Sequence, residues 1–196
     1  MDEAAQVDPV DRAEWRAWLT ENHATVSGVW LVLWKRHTGH PTVGYEEAVE
    51  EALCFGWIDA RTSKLDADRS LQWFSPRRAK GTWAKTNKDR VARLEAAGLM
   101  TDAGRAVIAV AKANGSWNSL DDIDAMIVPP DLEAALADHD GARAHFDSRS
   151  PSQRRATLAF VTQVKRADLR AARVQRVVDA CLARRSLADA YQPNRD

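Results

Sequence analysis

Cysteine is scarce in this chain of 196 residues, which holds only Cys54 and Cys181. Two cysteines make no disulfide framework, and reduced thiols in the cytosol are the simple reading. Long apolar runs are missing as well. None approaches the about 18 residues of a membrane span, so no membrane insertion is expected. The opening Met1-Asp2-Glu3-Ala4-Ala5-Gln6 is acidic and polar, the wrong character for a secretory signal, which points to the cytoplasm. There is no Gly-rich phosphate loop after a strand, no nucleophile elbow and no cluster with zinc-ligand spacing, so neither metal nor cofactor is expected. Net charge is lacking too, at +0.

That neutral balance hides segregation. Residues 69–93 carry eight Lys/Arg against one acid, Asp89, and residues 149–176 carry eight against Asp168. Residues 118–147 carry eight acids against Arg143. Such blocks form solvated faces, pair with each other or make an interaction surface. Internal pairing of basic with acidic helices is the reading set against binding. Nucleic-acid binding through residues 69–93 and 149–176, the latter with the stripe Lys165, Arg166, Arg170 and Arg173, stands as a second alternative function, which the acidic block disfavours.

What is present in unusual density is tryptophan beside arginine and lysine. Between Gly56 and Asn87 stand Trp57, Asp59, Trp73, Arg77, Arg78, Lys80, Trp83, Lys85 and Asn87. Indoles are costly to fit and want a partner for N–H, and a buried cation wants an anion. The mixture predicts a hollow with aromatic walls and a positive lining, suited to a small anionic or aromatic molecule, with a protein partner as another occupant. Arg77 and Arg78 would clamp the anion, Lys85 and Asn87 would assist, and Trp57, Trp73 and Trp83 would surround the pocket. Asn87 is read as a helix cap that adds backbone donors. Trp15, Trp18, Trp30 and Trp34 read as core.

Asp59 shares a strand face with Trp57. A carboxylate beside an indole is a candidate acid or base, which keeps a metal-independent enzyme on an anionic substrate as the alternative function. Its other reading is an ion pair with Arg61 or Arg77. Cys54 and Cys181 read as core packing, and His37 with His40 as a solvated loop pair.

Hydrophobic period and turn chemistry predict an α+β fold, mostly helical, with a small antiparallel sheet of about three strands in the N-terminal half. Strands are expected at 29–34, 57–65 and 70–75, the last two joined around Asp66-Ala67-Asp68-Arg69. Helices are expected at 9–22, 45–55, 88–97, 102–113, 121–126, 131–139, 151–164 and 166–184. The chain is read as a single globular unit over 1–196. Within it, 9–115 carries the aromatic–basic block and 130–185 forms a C-terminal helical part.

The text Trp30-Leu31-Val32-Leu33, Tyr45-Glu46-Glu47-Ala48, Ala52-Leu53-Cys54-Phe55-Gly56-Trp57-Ile58-Asp59 and Phe74-Ser75-Pro76-Arg77-Arg78 continues through Trp83, Lys85, Asn87 and Gly98-Leu99-Met100-Thr101. In these pieces the chain resembles the YdeI/OmpD-associated, or bacteriocin-protection (OmdA-like), family over about residues 11–184. The resemblance implies a bacterial stress-tolerance or antimicrobial-resistance role and supplies no catalytic residue. It departs at Gly81-Thr82-Trp83-Ala84, where the family often has Ser-x-Trp-Ser, and at Leu169 and Ala172, where relatives carry threonine and arginine.

Overall fold

The computed structural model describes residues 5–164, 166–186 and 188; Lys165, one of the stripe residues, lies outside them. The chain divides into two compact units, Met1–Ser119 and Leu120–Asp196.

The first unit is built on a sheet with helices against one face. Strand β1 is Gln6–Val7, followed by helix α1, Arg12–Asn22. Asp11 caps α1, its carboxylate accepting from the Glu14 N–H at 2.9 Å. Pro9 and Val10, expected inside the helix, therefore precede it. Strand β2 is Val29–Trp34, and α2 runs Tyr45–Cys54. The two helices are pinned by the Trp15 indole, which donates to the Ala48 carbonyl at 3.1 Å. Gly56 ends this stretch with φ +76, a left-handed backbone that favours glycine.

Strands β3, Trp57–Lys64, and β4, Arg69–Pro76, form the expected hairpin. Its turn is closed by Asp66, whose Oδ1 accepts from the Asp68 and Arg69 N–H groups at 2.8 and 2.7 Å. The sheet has four strands in the order β1-β2-β4-β3, not three. The extra one, β1, pairs parallel to β2 through two residues only, too short for an alternating pattern to betray it.

Register decides the faces. Val29 pairs with Phe74 and Asp59 with Phe74 on the other side, and Val29, Leu31, Trp57 and Phe74 enter the core. Trp30 pairs with Trp73 and Trp34 with Arg69, so these side chains share the opposite face. Trp30 and Trp34 thus leave the core that the sequence assigned them. Their large amphipathic rings suit a half-buried sheet surface equally well.

After the hairpin come α3, Lys85–Ala96, and α4, Asp102–Ala113. Asn87 does not cap α3. Ala84 holds that position and Asn87 lies in the first turn, because the loop before it turns inward with Trp83. Thr101 does cap α4, accepting from Gly104 N–H at 3.3 Å, and its hydroxyl donates to the Cys54 carbonyl at 2.6 Å.

The second unit holds α5, Asp121–Asp124; α6, Pro130–Ala137; α7, Ala142–Asp147; α8, Pro151–Thr162; and α9, Ala167–Leu182. The short α7 was not expected. Ser150 and Gln153 close a capping box at the start of α8. Leu132, Leu136, Phe146, Leu158, Val177 and Cys181 make this unit's own core. Its acidic segment meets its own arginines: Asp124 pairs with Arg155, Asp131 with Arg170 and Asp147 with Arg154. Among the described residues no helix is long and apolar enough to cross a membrane.

Candidate functional site

The sheet face away from the core carries a groove of about 400 Å³, lined by Ile58, Ala60, Arg61, Trp73, Ser75, Pro76, Arg77, Arg78, Gly81 and Thr82. Adjacent strands supply it by simple alternation: Ile58 stands opposite Ser75, and Trp73 lies two residues before that serine on the same face. No carboxylate lines it. A smaller hollow of about 220 Å³ is lined by Arg77, Ala79, Ala106, Val107 and Val110, so Arg77 borders both.

Two of the groove arginines are backed by indoles. Arg61 lies over Trp30 and Trp73, 5.0 and 5.2 Å from their centroids, and those two rings meet edge to face. Arg77 lies 3.7 Å from the centroid of Trp83, which is itself buried and packed on Trp117. Each of these rings therefore carries a guanidinium before any ligand arrives.

Arg77 is the most desolvated of the three. Burial pulls its pKa down to about 10, opposed by the charge of Asp59. Its Nη1 donates to the Thr82 carbonyl at 3.3 Å, and its buried Nε meets no acceptor among the described residues. Arg61, Arg77 and Arg78 make no ion pair among the described residues. Their neighbours do: Arg90 grips Glu46 through both Nε and Nη2, at 2.8 and 2.6 Å, and Arg93 reaches Glu50 at 3.0 Å. The α3 arginines thus pair with glutamates of α2, which lie outside the acidic block 118–147, and this pairing stops short of the groove.

The sequence candidates separate accordingly. Trp73, Arg77 and Arg78 come together in the groove, with Trp83 as the floor under Arg77. Trp57 belongs to the core, 1% exposed, its indole donating to the His23 carbonyl at 3.1 Å. Asp59 lies on the Phe74 side of the hairpin and accepts from the Tyr45 hydroxyl at 2.7 Å; it does not line the groove. Burial, then this hydrogen bond, push Tyr45 up to about 12. Lys85 bonds Asp89 one turn along at 2.9 Å, and Asn87 accepts from Arg90 at 2.7 Å, so neither is turned to the groove lining.

A family described as a domain of unknown function, DUF8412, has a model matching residues 7–107, just over half of the chain. The chain belongs to the DUF8412 family. Residues 125–184 match a second model, described as Bacteriocin-protection, YdeI or OmpD-Associated, which supports the resemblance read from sequence. The groove thus lies wholly in the DUF8412 part. No curated protein and no solved structure matches the chain.

Sequence reasoning missed Arg61 in this DUF8412 chain, having weighed it only as a partner for Asp59. Its parity pointed the other way, to the face of Trp57 and Asp59; only a register shift between Asp59 and Thr62, which no residue in the sequence announces, brings Arg61 to the indole face. Among the described residues no group of three or more His, Cys, Asp or Glu is placed to hold a metal ion. His37 bonds Asp68 at 3.1 Å and His40 stacks on Trp34 at 3.9 Å. Cys54 is buried, which raises its thiol pKa, as suits packing rather than nucleophilic chemistry.

Proposed function

We propose that this protein is a binding module that captures a small anion in the groove between β3, β4 and the Arg77–Thr82 loop. The observation that carries this reading is the set Arg61, Arg77 and Arg78, which line one hollow without a carboxylate among its walls. Arg77 is partly out of water, and such a cation is costly until an anion joins it. The match of residues 125–184 supports a bacterial stress or antimicrobial-tolerance setting, and two free, buried cysteines support the cytoplasm as its place.

The alternative of an enzyme with Asp59 as acid or base has less support. That carboxylate is engaged by Tyr45 and stands on the other side of the strand from the groove.

A panel of small carboxylates, sulfonates and phosphates screened by thermal shift tests the reading. At least one anion raises Tm in the natural protein, and Arg77→Gln together with Arg61→Gln abolishes that rise. An anion whose stabilising effect survives both substitutions would put the site elsewhere.

A further inference from the structure

We propose that the anion is a phosphomonoester in its dianionic form, held between the guanidiniums of Arg61 and Arg77; this rests on the anion-binding reading above. A guanidinium laid on an indole uses its π face and keeps its N–H donors, which lie in its own plane. The groove has two guanidiniums over indoles: Arg61, 5.0 and 5.2 Å from Trp30 and Trp73, whose rings meet edge to face, and Arg77, 3.7 Å from Trp83, with Nη1 also donating to the Thr82 carbonyl. Trp73 is fixed in turn by close approach to Gly28, where a Cβ would fall 2.2 Å from the ring. Arg77, half-buried over Trp83, is set before the ligand enters and loses little side-chain entropy on binding, while Arg61, exposed over its two rings, is less restrained.

Charge and oxygen count choose among anions. A monocarboxylate has one charge and two oxygens, which a single arginine fork satisfies. That leaves the second fork and Arg78 without a counter-charge. A phosphomonoester carries about −1.5 to −2 at pH 7 and three acceptor oxygens, enough for two forks. The Ser75 and Thr82 side chains, which also line the groove, add hydroxyl donors. Ile58, Ala60 and Pro76 give the same groove an apolar wall for the organic part of the ester. The hollow, at about 400 Å³, falls in the range of small-ligand sites. Recognition runs through the charged group, since each of these indoles already carries a guanidinium.

Titration calorimetry on the full chain tests this with phenyl phosphate, its monoanionic methyl diester, benzoate and inorganic phosphate. At pH 7.5 phenyl phosphate binds about tenfold or more tighter than the diester and benzoate. Its affinity falls about tenfold toward pH 5, as the second phosphate proton returns with pKa near 6. Arg61→Gln and Arg77→Gln each weaken phenyl phosphate about tenfold; Arg61 is exposed, so its replacement leaves folding intact. Inorganic phosphate binding as tightly as phenyl phosphate supports recognition of the group alone, and weaker binding supports an added contribution from the apolar wall. If the diester or benzoate binds as tightly as phenyl phosphate, with the same dependence on Arg77, the dianion proposal is wrong and the anion site stands. If no anion binds, or if both variants bind all of them as before, the site itself falls.

Discussion

The guanidinium of Arg77 stacks 3.7 Å from the centroid of Trp83 while the nearest acid acting on it, Asp59, does so only through space. This is an unusual way to keep a cation inside. A cation over a desolvated indole gains about 2 kcal/mol or somewhat more, against a cost of several kcal/mol for burying a charge without a direct counter-ion. The contact orients Arg77 without neutralising it.

Stability and binding should therefore pull apart at Arg77. Its folded-state pKa lies below the unfolded value, so the charged group disfavours the fold at every pH below about 10. That penalty fades only as pH rises from there to the unfolded value. Arg77→Met keeps an unbranched stem over Trp83 and removes the charge. We expect it to leave stability unchanged or raise it by about 1 kcal/mol, while erasing the Tm response to anions. A loss of stability on urea unfolding would show that the charge itself holds the loop.

Tyr45 gives a spectroscopic report on the other side of the hairpin. Its folded pKa, about 12, is above the ordinary value of 10, first through burial and then through the hydrogen bond to Asp59. The neutral phenol is favoured by the fold, so this stabilisation is present below pH 10 and is lost as pH rises through about 12. Absorbance near 295 nm should show a phenolate component at about 12 that Tyr45→Phe removes. Asp59→Asn should move that component part-way toward 10. No movement would mean that the carboxylate does not face the phenol in solution.

Gly104 lies inside α4, where alanine ordinarily stabilises a helix by about 1 kcal/mol. Here the opposite is expected. A Cβ would stand 2.3 Å from the Cys54 carbonyl oxygen, which already accepts from Thr101 N–H and hydroxyl at 3.2 and 2.6 Å. Gly104→Ala should cost more than about 2 kcal/mol in urea unfolding by forcing the end of α2 and the start of α4 apart. Gly98→Ala meets no atom within 4 Å, and its cost is confined to the left-handed backbone at φ +68, about 1 kcal/mol. Equal losses at the two sites would contradict this docking of the helix ends.

Local chemistry determined much of this from sequence. Thr101 and Ser150 announced their helices because a side-chain oxygen beside free N–H groups needs no distant partner. Asp66 announced the hairpin for the same reason. Alternation also placed Trp57 and Asp59 on one face, opposite Ile58.

What alternation cannot say is which face meets the core, and this decided the site. Burying the Phe74 face took Trp57 and Asp59 away from the groove and sent Trp30 out to join Trp73. Arg61 reached those two rings because the strand order sets β3 beside β4 and β4 beside β2 and the register shift after Asp59 turns it to their face. The sequence by itself thus determined the caps, the turns and the supply of indoles and cations, all short-range matters. Only the tertiary structure decided which cations lie on which rings and which lack a carboxylate, because those pairings join strands distant along the chain and depend on the one face that packing buried.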